Sequence, residues 1–299
     1  MDYRFPLGLL AIYRDFETQE QIDAEYDLES VLDMNAYGRW MAAAADRTRH
    51  EVDYVPNVRY GPTRDEYVDV FPSKTPNSPV LVFIHGGWWR ALASSDFHMV
   101  ARGPLALGMT VVMVNYSLCP KVSISEITRQ NRAALAWTFH NIDRFHGDPE
   151  TIFVAGHSAG GHQVGMLSIT DWEEEYDLPK TLITGGIPIS GLFDLRPFRY
   201  SWLQPKLLLT HEVIERESPI FHVAGRDYLP PLLFTLGGDE SSEFHRQSSA
   251  FSEVWDRAGG SSVLFPQPGR DHISAIADLE DPTSALCRAV ATFVDQHRT

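Results

Sequence analysis

Serine, aspartate and histidine occur in this chain in an order that suits nucleophilic catalysis. Ser158 lies in the stretch VAGHSAGGHQ, where Gly156 and Gly160 complete the pattern G-x-S-x-G. Apolar β-forming residues precede this serine and apolar residues at helical spacing follow it, so we expect a sharp strand-to-helix turn that exposes the hydroxyl. The alternative is a glycine-rich turn with an incidental serine, and partners elsewhere in the chain must decide between the two.

A serine hydroxyl needs a base that removes its proton and an acid that orients the base. Asp239 follows the apolar stretch LLFT and His272 follows SVLF, with room for one helix and one strand between them. We therefore predict Asp239 as the acid and His272 as the base. Glu240 and Asp194 are rivals for the acid, and Asp239 could instead cap the following helix. Asp271, beside the histidine, is expected to be solvated or structural.

The negative oxygen that forms when serine attacks a carbonyl needs hydrogen-bond donors. The stretch FIHGGWWR follows an apolar strand, and its paired glycines let backbone amides approach a ligand closely. We predict an oxyanion hole made by the amides of Gly87, Trp88 and Ala159. His85 is expected to brace this loop by a hydrogen bond rather than to act as a base.

These residues must be positioned by alternating strands and helices. Residues 15–50 are rich in Glu, Gln, Ala and Leu and predict one or two helices ahead of the main fold, within an N-terminal extension over 1–50. An antiparallel opening pair follows, and then strands separated by helices, which indicates a mostly parallel sheet of about eight strands covered on both faces. The serine turn closes the fifth strand. Prolines and aromatics interrupt the pattern over 191–229, which predicts a small lid-like insertion in a single domain spanning 1–299.

Composition narrows the class of partner. A formal charge of −15 argues against nucleic acid or an anionic membrane surface, and no apolar run is long enough for a membrane span. Two cysteines far apart in sequence suggest neither a disulfide framework nor a metal site. The first residues do not resemble a secretion signal, so we expect a cytoplasmic protein that acts on a small molecule. Whether the chain forms a homo-oligomer stays open.

The motifs HGGWW, GHSAGG, GGDES and GRDH resemble those of the α/β-hydrolase family over most of the chain. More narrowly, the chain resembles the kynurenine formamidase (arylformamidase) branch and the related hormone-sensitive-lipase-like esterases. This resemblance implies the α/β-hydrolase fold and carries the oxyanion amides of the family onto Gly87 and Trp88. Many esterase relatives have a third glycine where this chain has Trp88, and that departure favours the formamidase branch.

The resemblance implies hydrolysis of an N-formyl aryl amide, with N-formyl-L-kynurenine giving L-kynurenine and formate, without a metal or organic cofactor. A carboxylesterase or another small-molecule amidase would use the same machinery, since the fold and the triad leave the acyl group open. A non-catalytic ligand-binding protein on the same fold is a remote alternative, because such proteins typically lack a triad member.

Aromatic residues near the predicted site suit either an aromatic ligand or a packed core. The aromatic residues assigned to the substrate face are Trp89, Phe193 and Trp202, with Trp88 beside them. An amino-acid substrate would also need a polar or cationic anchor, for which Arg196, Arg199 and Arg226 are candidates.

Overall fold

Eight β-strands form one sheet in the computed structural model, which describes residues 11–298. The strands are β1 (Val55–Arg59), β2 (Tyr67–Phe71), β3 (Ser78–Ile84), β4 (Thr110–Val114), β5 (Gly147–His157), β6 (Gly185–Ile189), β7 (Leu232–Gly237) and β8 (Ser262–Gln267). Their order is β1-β2-β4-β3-β5-β6-β7-β8, with antiparallel pairing at β1–β2 and β2–β4 and parallel pairing elsewhere. This confirms the predicted mostly parallel sheet and the serine turn after the fifth strand. The opening segment 1–10, on which the expectation about a secretion signal rests, lies outside the described residues.

Helices connect the strands and cover the sheet. They are α1 (Gln19–Tyr26), α2 (Leu28–Val31), α3 (Met34–Glu51), α4 (Arg102–Ala106), α5 (Ile124–Asn141), α6 (Ala159–Ser168), α7 (Trp172–Tyr176), α8 (Gln204–Leu207), α9 (His211–Glu217), α10 (Ser242–Arg257) and α11 (Ala285–His297). Among the described residues, five 3₁₀ helices lie at Ser94–Ala101, Ile142–Phe145, Arg196–Tyr200, Pro219–Phe221 and Ser274–Glu280. The helix that the alternation of strands and helices predicts between β3 and β4 is therefore mostly a 3₁₀ helix. Within residues 11–298, no helix combines the length and the apolar character needed to cross a bilayer.

The continuous apolar runs of the strands explain why the sheet is covered on both faces. In β3, Val80, Val82 and Ile84 belong to a core shared with α5 and α6, whereas Leu81 and Phe83 belong to a core shared with α3 and α11. Successive side chains of a strand point to opposite faces, so a continuous apolar run must be buried on both. The loops that follow the parallel strands consequently meet at one edge, where ligands bind in open α/β sheets.

The N-terminal helices pack onto this edge. Tyr26, at the end of α1, is fully buried, and its ring centroid lies 4.8 Å from that of Phe198 and 5.5 Å from that of Phe244. Its hydroxyl donates to Glu243 Oε2 at 2.9 Å. The helices predicted near 15–50 are thus anchored on the segment after β6 and on α10, and this holds α2 and α3 beside the carboxyl ends of the strands.

Candidate active site

Ser158 lies between β5 and α6 in a backbone conformation that few residues adopt. Its φ is 56° and its ψ is −115°, outside the regions that a residue with a Cβ ordinarily occupies. A Cβ on Gly156 would lie 2.3 Å from the carbonyl oxygen of Gly160, and a Cβ on Gly160 would lie 2.0 Å from that of Ile84. The two glycines of the motif are therefore required by contacts of this turn. The Ser158 side chain does not cap α6, so its hydroxyl stays available.

His272 is paired with Glu240 and not with Asp239. Its Nδ1 lies 2.8 Å from Glu240 Oε2, and the side chains of both residues are almost completely buried. Asp239 is exposed, so the prediction that it orients the histidine was wrong. The cause is the loop after β7. The amide of Gly238 donates to Gln267 O and that of Asp239 donates to Arg270 O, and this pinned turn directs position 239 outward and position 240 inward.

The second carboxylate oxygen of Glu240 is held equally firmly. Oε1 accepts a hydrogen bond from Ser190 Oγ at 2.5 Å and another from the backbone amide of Gly237 at 2.6 Å. Each oxygen of the buried carboxylate therefore has a partner, as burial of a charge requires. The carboxylate is fixed in position, and it presents Oε2 to a donor on His272.

His157, the residue between Gly156 and Ser158, supports the histidine from the other side. Its Nε2 donates to the backbone carbonyl of His272 at 2.8 Å, and the two ring centroids are 4.7 Å apart. Burial and then the neighbouring charge of His272 hold the pKa of His157 well below its ordinary value, so its ring is neutral near pH 7. His157 therefore links the serine turn to the loop that carries His272.

The loop after β3 brings backbone amides to the serine. A Cβ on Gly86 would lie only 3.2 Å from Ser158 Cβ, so the loop runs directly against the serine turn. Gly87 and Trp88 have φ values of 113° and 54°. Among the backbone hydrogen bonds between residues 11 and 298, none outside the regular elements uses the amides of Gly87, Trp88 or Ala159 as donor. These amides are the donors predicted for an oxyanion.

His85 braces that loop, as its position predicts. Its ring stacks on Tyr116 with centroids 4.1 Å apart, and its Nδ1 lies 2.7 Å from the carbonyl oxygen of Gly86. Complete burial lowers the pKa of His85 to about 4, so the neutral ring donates from Nδ1 to that carbonyl. The hydroxyl of Tyr116 also donates to His85 O at 2.8 Å. His85 is thus a structural support for the loop.

Ser158 and His272 line one cavity of about 250 Å³. Its wall also includes Gly87, Trp88, His157 and Trp202, together with residues of α2 and α3 and of the segment after His272: Leu28, Glu29, Met34, Tyr37, Gly38, Met41, Ile273 and Ile276. Trp88 lies nearly parallel to the His272 ring at 6.4 Å and edge-on to Trp202 at 6.0 Å. Within the described residues, no hydrogen bond joins the Ser158 hydroxyl to His272. The cavity is mainly apolar and is roofed by the N-terminal helices.

Two of the aromatic residues assigned to the substrate face lie elsewhere. Phe193 is completely buried and stacks on Phe251 with centroids 4.4 Å apart, and Trp89 is completely buried with its Nε1 donating to His162 Nδ1 at 3.3 Å. Both are core residues, so their assignment to the substrate face was wrong. Trp202 does line the cavity, and it is the residue that the 191–229 segment contributes to this wall.

Asp194, the other alternative for the acid, lies away from the cavity, and so do the predicted cationic anchors. Asp194 is buried in an ion pair with Arg196 at 2.7 Å and accepts a hydrogen bond from the Tyr13 hydroxyl at 3.0 Å. Arg226 donates to the carbonyl of His222, and neither it nor Arg196 and Arg199 line the cavity. The prediction that these arginines anchor the substrate rested only on their place in the sequence, and it was wrong.

Three of the cavity residues that sequence reasoning missed are Arg90, Tyr37 and His157. Arg90 lines the cavity one residue beyond the tryptophan pair of the oxyanion loop. Tyr37 of α3 also lines it and donates to Asp271 Oδ2 at 2.5 Å, which fixes the loop before His272. His157 completes the set. The available signal was adjacency, since Arg90 directly follows the tryptophan pair and His157 lies between Gly156 and Ser158, whereas nothing in the sequence places Tyr37 at the cavity.

Comparisons with known proteins find similarity to a formamidase and to esterases. The family model described as BD-FAE matches residues 68–186, a span that includes the oxyanion loop and the serine turn. Kynurenine formamidase of Danio rerio is 27% identical over 260 residues, which cover 85% of this chain and 86% of that protein. Esterase LipC of Mycobacterium tuberculosis is 27% identical over 270 residues, covering 81% of this chain and 65% of that protein.

A solved structure extends the similarity to the whole fold. The crystal structure of a candidate thioesterase from Silicibacter sp. superposes with a TM-score of 0.77 at 31% identity. The match covers 91% of this chain and 98% of that one. The arrangement of the sheet and of its covering helices is therefore shared over nearly the full length of both chains.

Proposed function

Because this chain belongs to the α/β-hydrolase superfamily, we propose that it hydrolyses N-formyl aryl amides, with N-formyl-L-kynurenine as its substrate. The observation that carries the proposal is that Ser158 and His272 line one cavity together with the aromatic side chains of Trp88 and Trp202. Such a wall suits a flat aryl group next to the scissile bond. Similarity to a kynurenine formamidase over most of the chain supports the formyl group as the acyl part.

In the first half of the reaction, the Ser158 hydroxyl attacks the formyl carbon while His272 Nε2 takes its proton. Glu240 accepts a hydrogen bond from the Nδ1–H group of His272 and stabilises the imidazolium that forms. The amides of Gly87, Trp88 and Ala159 hold the negative oxygen of the tetrahedral intermediate. The imidazolium then protonates the aryl amine, the carbon–nitrogen bond breaks, and a formyl ester remains on the serine.

In the second half, water attacks the formyl ester with His272 as its base, and formate leaves when the imidazolium returns the proton to Ser158. Two neutral histidines hold the catalytic base and the oxyanion loop in place during both halves of the reaction. His157 holds the backbone of His272, and His85 holds the carbonyl of Gly86 and with it the oxyanion loop. Both carry a lowered pKa through burial, so they stay uncharged while His272 cycles.

A carboxylesterase is the second candidate function. Its support is the similarity to Esterase LipC at the same 27% identity as the formamidase. The serine, the base and the oxyanion amides would act identically on an ester, because the triad determines acyl transfer and leaves the acyl group open. The two candidates therefore differ in the substrate alone.

Relative kcat/KM values separate the two candidates. We would measure N-formyl-L-kynurenine, formanilide, p-nitrophenyl acetate and p-nitrophenyl butyrate in one buffer, with Ser158→Ala as the control that lacks the nucleophile. The proposal expects the formyl aryl amides to be preferred and Ser158→Ala to lose nearly all turnover of every substrate while remaining folded. A preference for the esters of about 10²-fold or more, equivalent to about 2.7 kcal/mol, would replace the formamidase function with the esterase.

A further inference from the structure

Arg90 is the strongly basic side chain on the wall of the catalytic cavity. Its backbone amide donates to Gly87 O at 3.0 Å, which makes it part of the oxyanion loop. Its guanidinium carbon lies 4.9 Å from the centre of the Trp202 ring. Its Nε is buried and has no hydrogen-bond partner within residues 11–298. Apart from imidazoles, the other ionisable side chains on the wall are Glu29 and Tyr37.

Several other arginines within residues 11–298 pair with buried carboxylates. Arg196 pairs with Asp194 at 2.7 Å, Arg246 pairs with Glu243 at 2.6 Å, and Arg129 reaches the buried Glu66 at 2.6 Å. Glu29 is exposed and, in the part of the chain that the structure describes, is in no ion pair with Arg90. A buried guanidinium donor without an acceptor costs free energy, and a ligand that supplies the acceptor would recover it.

We propose that Arg90 binds the α-carboxylate of an amino-acid substrate and thereby selects carboxylate-bearing aryl amides, an inference that rests on the proposed function and specifies its substrate class. An arginine carries its charge at physiological pH and matches a carboxylate with two parallel hydrogen bonds. The Trp202 face holds the guanidinium by a cation–π contact, so its orientation is prepared before the substrate binds. The carboxylate does not change during the reaction, so Arg90 acts through binding.

The test compares two substrates that differ only in this carboxylate. We would measure kcat/KM for N-formyl-L-kynurenine and for its decarboxylated analogue N-formylkynuramine with the parent and with Arg90→Gln, Arg90→Lys and Arg199→Gln. Arg199 is exposed outside the cavity, so Arg199→Gln is the matched control for loss of one positive charge. Thermal unfolding of each variant checks that it is folded.

Arg90→Gln should lower kcat/KM for N-formyl-L-kynurenine about 10- to 100-fold more than for N-formylkynuramine, because a charge-assisted hydrogen bond is lost with one substrate only. The excess loss should lie in KM, since the contact is equal in the ground state and the transition state. Arg90→Lys should show a smaller excess because it keeps the charge and lacks the planar fork. Arg199→Gln should match the parent with both substrates. An excess below about threefold for Arg90→Gln would overturn the anchor.

A binding measurement separates failure of the anchor from failure of the proposed function. Calorimetric titration of Ser158→Ala with L-kynurenine and with kynuramine should show preference for the carboxylate ligand, and adding Arg90→Gln should abolish it. If formamides are not hydrolysed by the parent but this preference is present, the proposed function fails and the anchor stands. Suppose instead that the parent hydrolyses formamides, and that L-kynurenine and kynuramine bind equally to Ser158→Ala whether or not Arg90→Gln is added. The anchor then fails and the proposed function stands.

Discussion

Replacing Glu240 by glutamine changes one atom of the site and tests the assigned triad directly. In the parent, Oε1 accepts hydrogen bonds from the amide of Gly237 at 2.6 Å and from Ser190 Oγ at 2.5 Å, and Oε2 faces His272 Nδ1 at 2.8 Å. The amide of Gly237 can only donate, so the oxygen of the new side-chain amide must stay on that side. The NH₂ group then faces His272 and donates to Nδ1.

This orientation determines the size of the effect. A Nδ1 atom that accepts a hydrogen bond leaves the proton of the neutral ring on Nε2, which removes the lone pair that must take the Ser158 proton. Flipping the new amide would set two N–H donors against each other at Gly237 and cost about 1–3 kcal/mol, so the wrong tautomer predominates. We expect kcat to fall about 10³- to 10⁴-fold, which corresponds to about 4–5.5 kcal/mol.

The assay is steady-state hydrolysis of the preferred substrate by Glu240→Gln, with Asp239→Asn as the matched control from the same loop. Asp239 is exposed and its backbone amide, which remains, makes its contact with Arg270 O, so the control should stay within about threefold of the parent. Circular dichroism and thermal unfolding establish that both variants are folded. A folded Glu240→Gln variant that retains more than about a tenth of the parent kcat would refute the reasoning, and so would a larger loss in Asp239→Asn.

Two further predictions concern stability. Gly160→Ala should lower the free energy of unfolding by at least about 2 kcal/mol in urea titrations, because the Cβ of the new alanine would lie 2.0 Å from Ile84 O. An unchanged urea midpoint would contradict the packing of the serine turn. Burial lowers the pKa values of His85, His157 and His162. Between about pH 6.5 and pH 4 the unfolded chain therefore binds more protons than the folded one. The free energy of unfolding should therefore fall as the pH falls through this window, by up to about 1.4 kcal/mol per pH unit for each histidine. Equal urea midpoints at pH 7 and pH 5 would show that the three rings are not buried in the neutral form.

Regular elements and the order of the motifs could be predicted from the sequence. The stretch TIFVAG before Ser158 is apolar and β-branched, and it forms the end of β5 as expected. The continuous apolar run of β3 likewise corresponds to burial on both faces. Both results depend on local periodicity, which follows from the geometry of a single strand and does not require knowledge of its neighbours. Parallel strands then bring the residues that follow them to one edge of the sheet.

Orientation within the loops was decided by the tertiary structure. Asp239 and Glu240 are adjacent acidic residues in one loop, and the hydrogen bonds of that loop to Gln267 and Arg270 turn the first outward and the second toward His272. Arg196 was a candidate anchor from the sequence and Arg90 was not, yet of the two only Arg90 lines the cavity. A loop has no repeating geometry that assigns its side chains to a face, so their directions depend on contacts with distant parts of the chain.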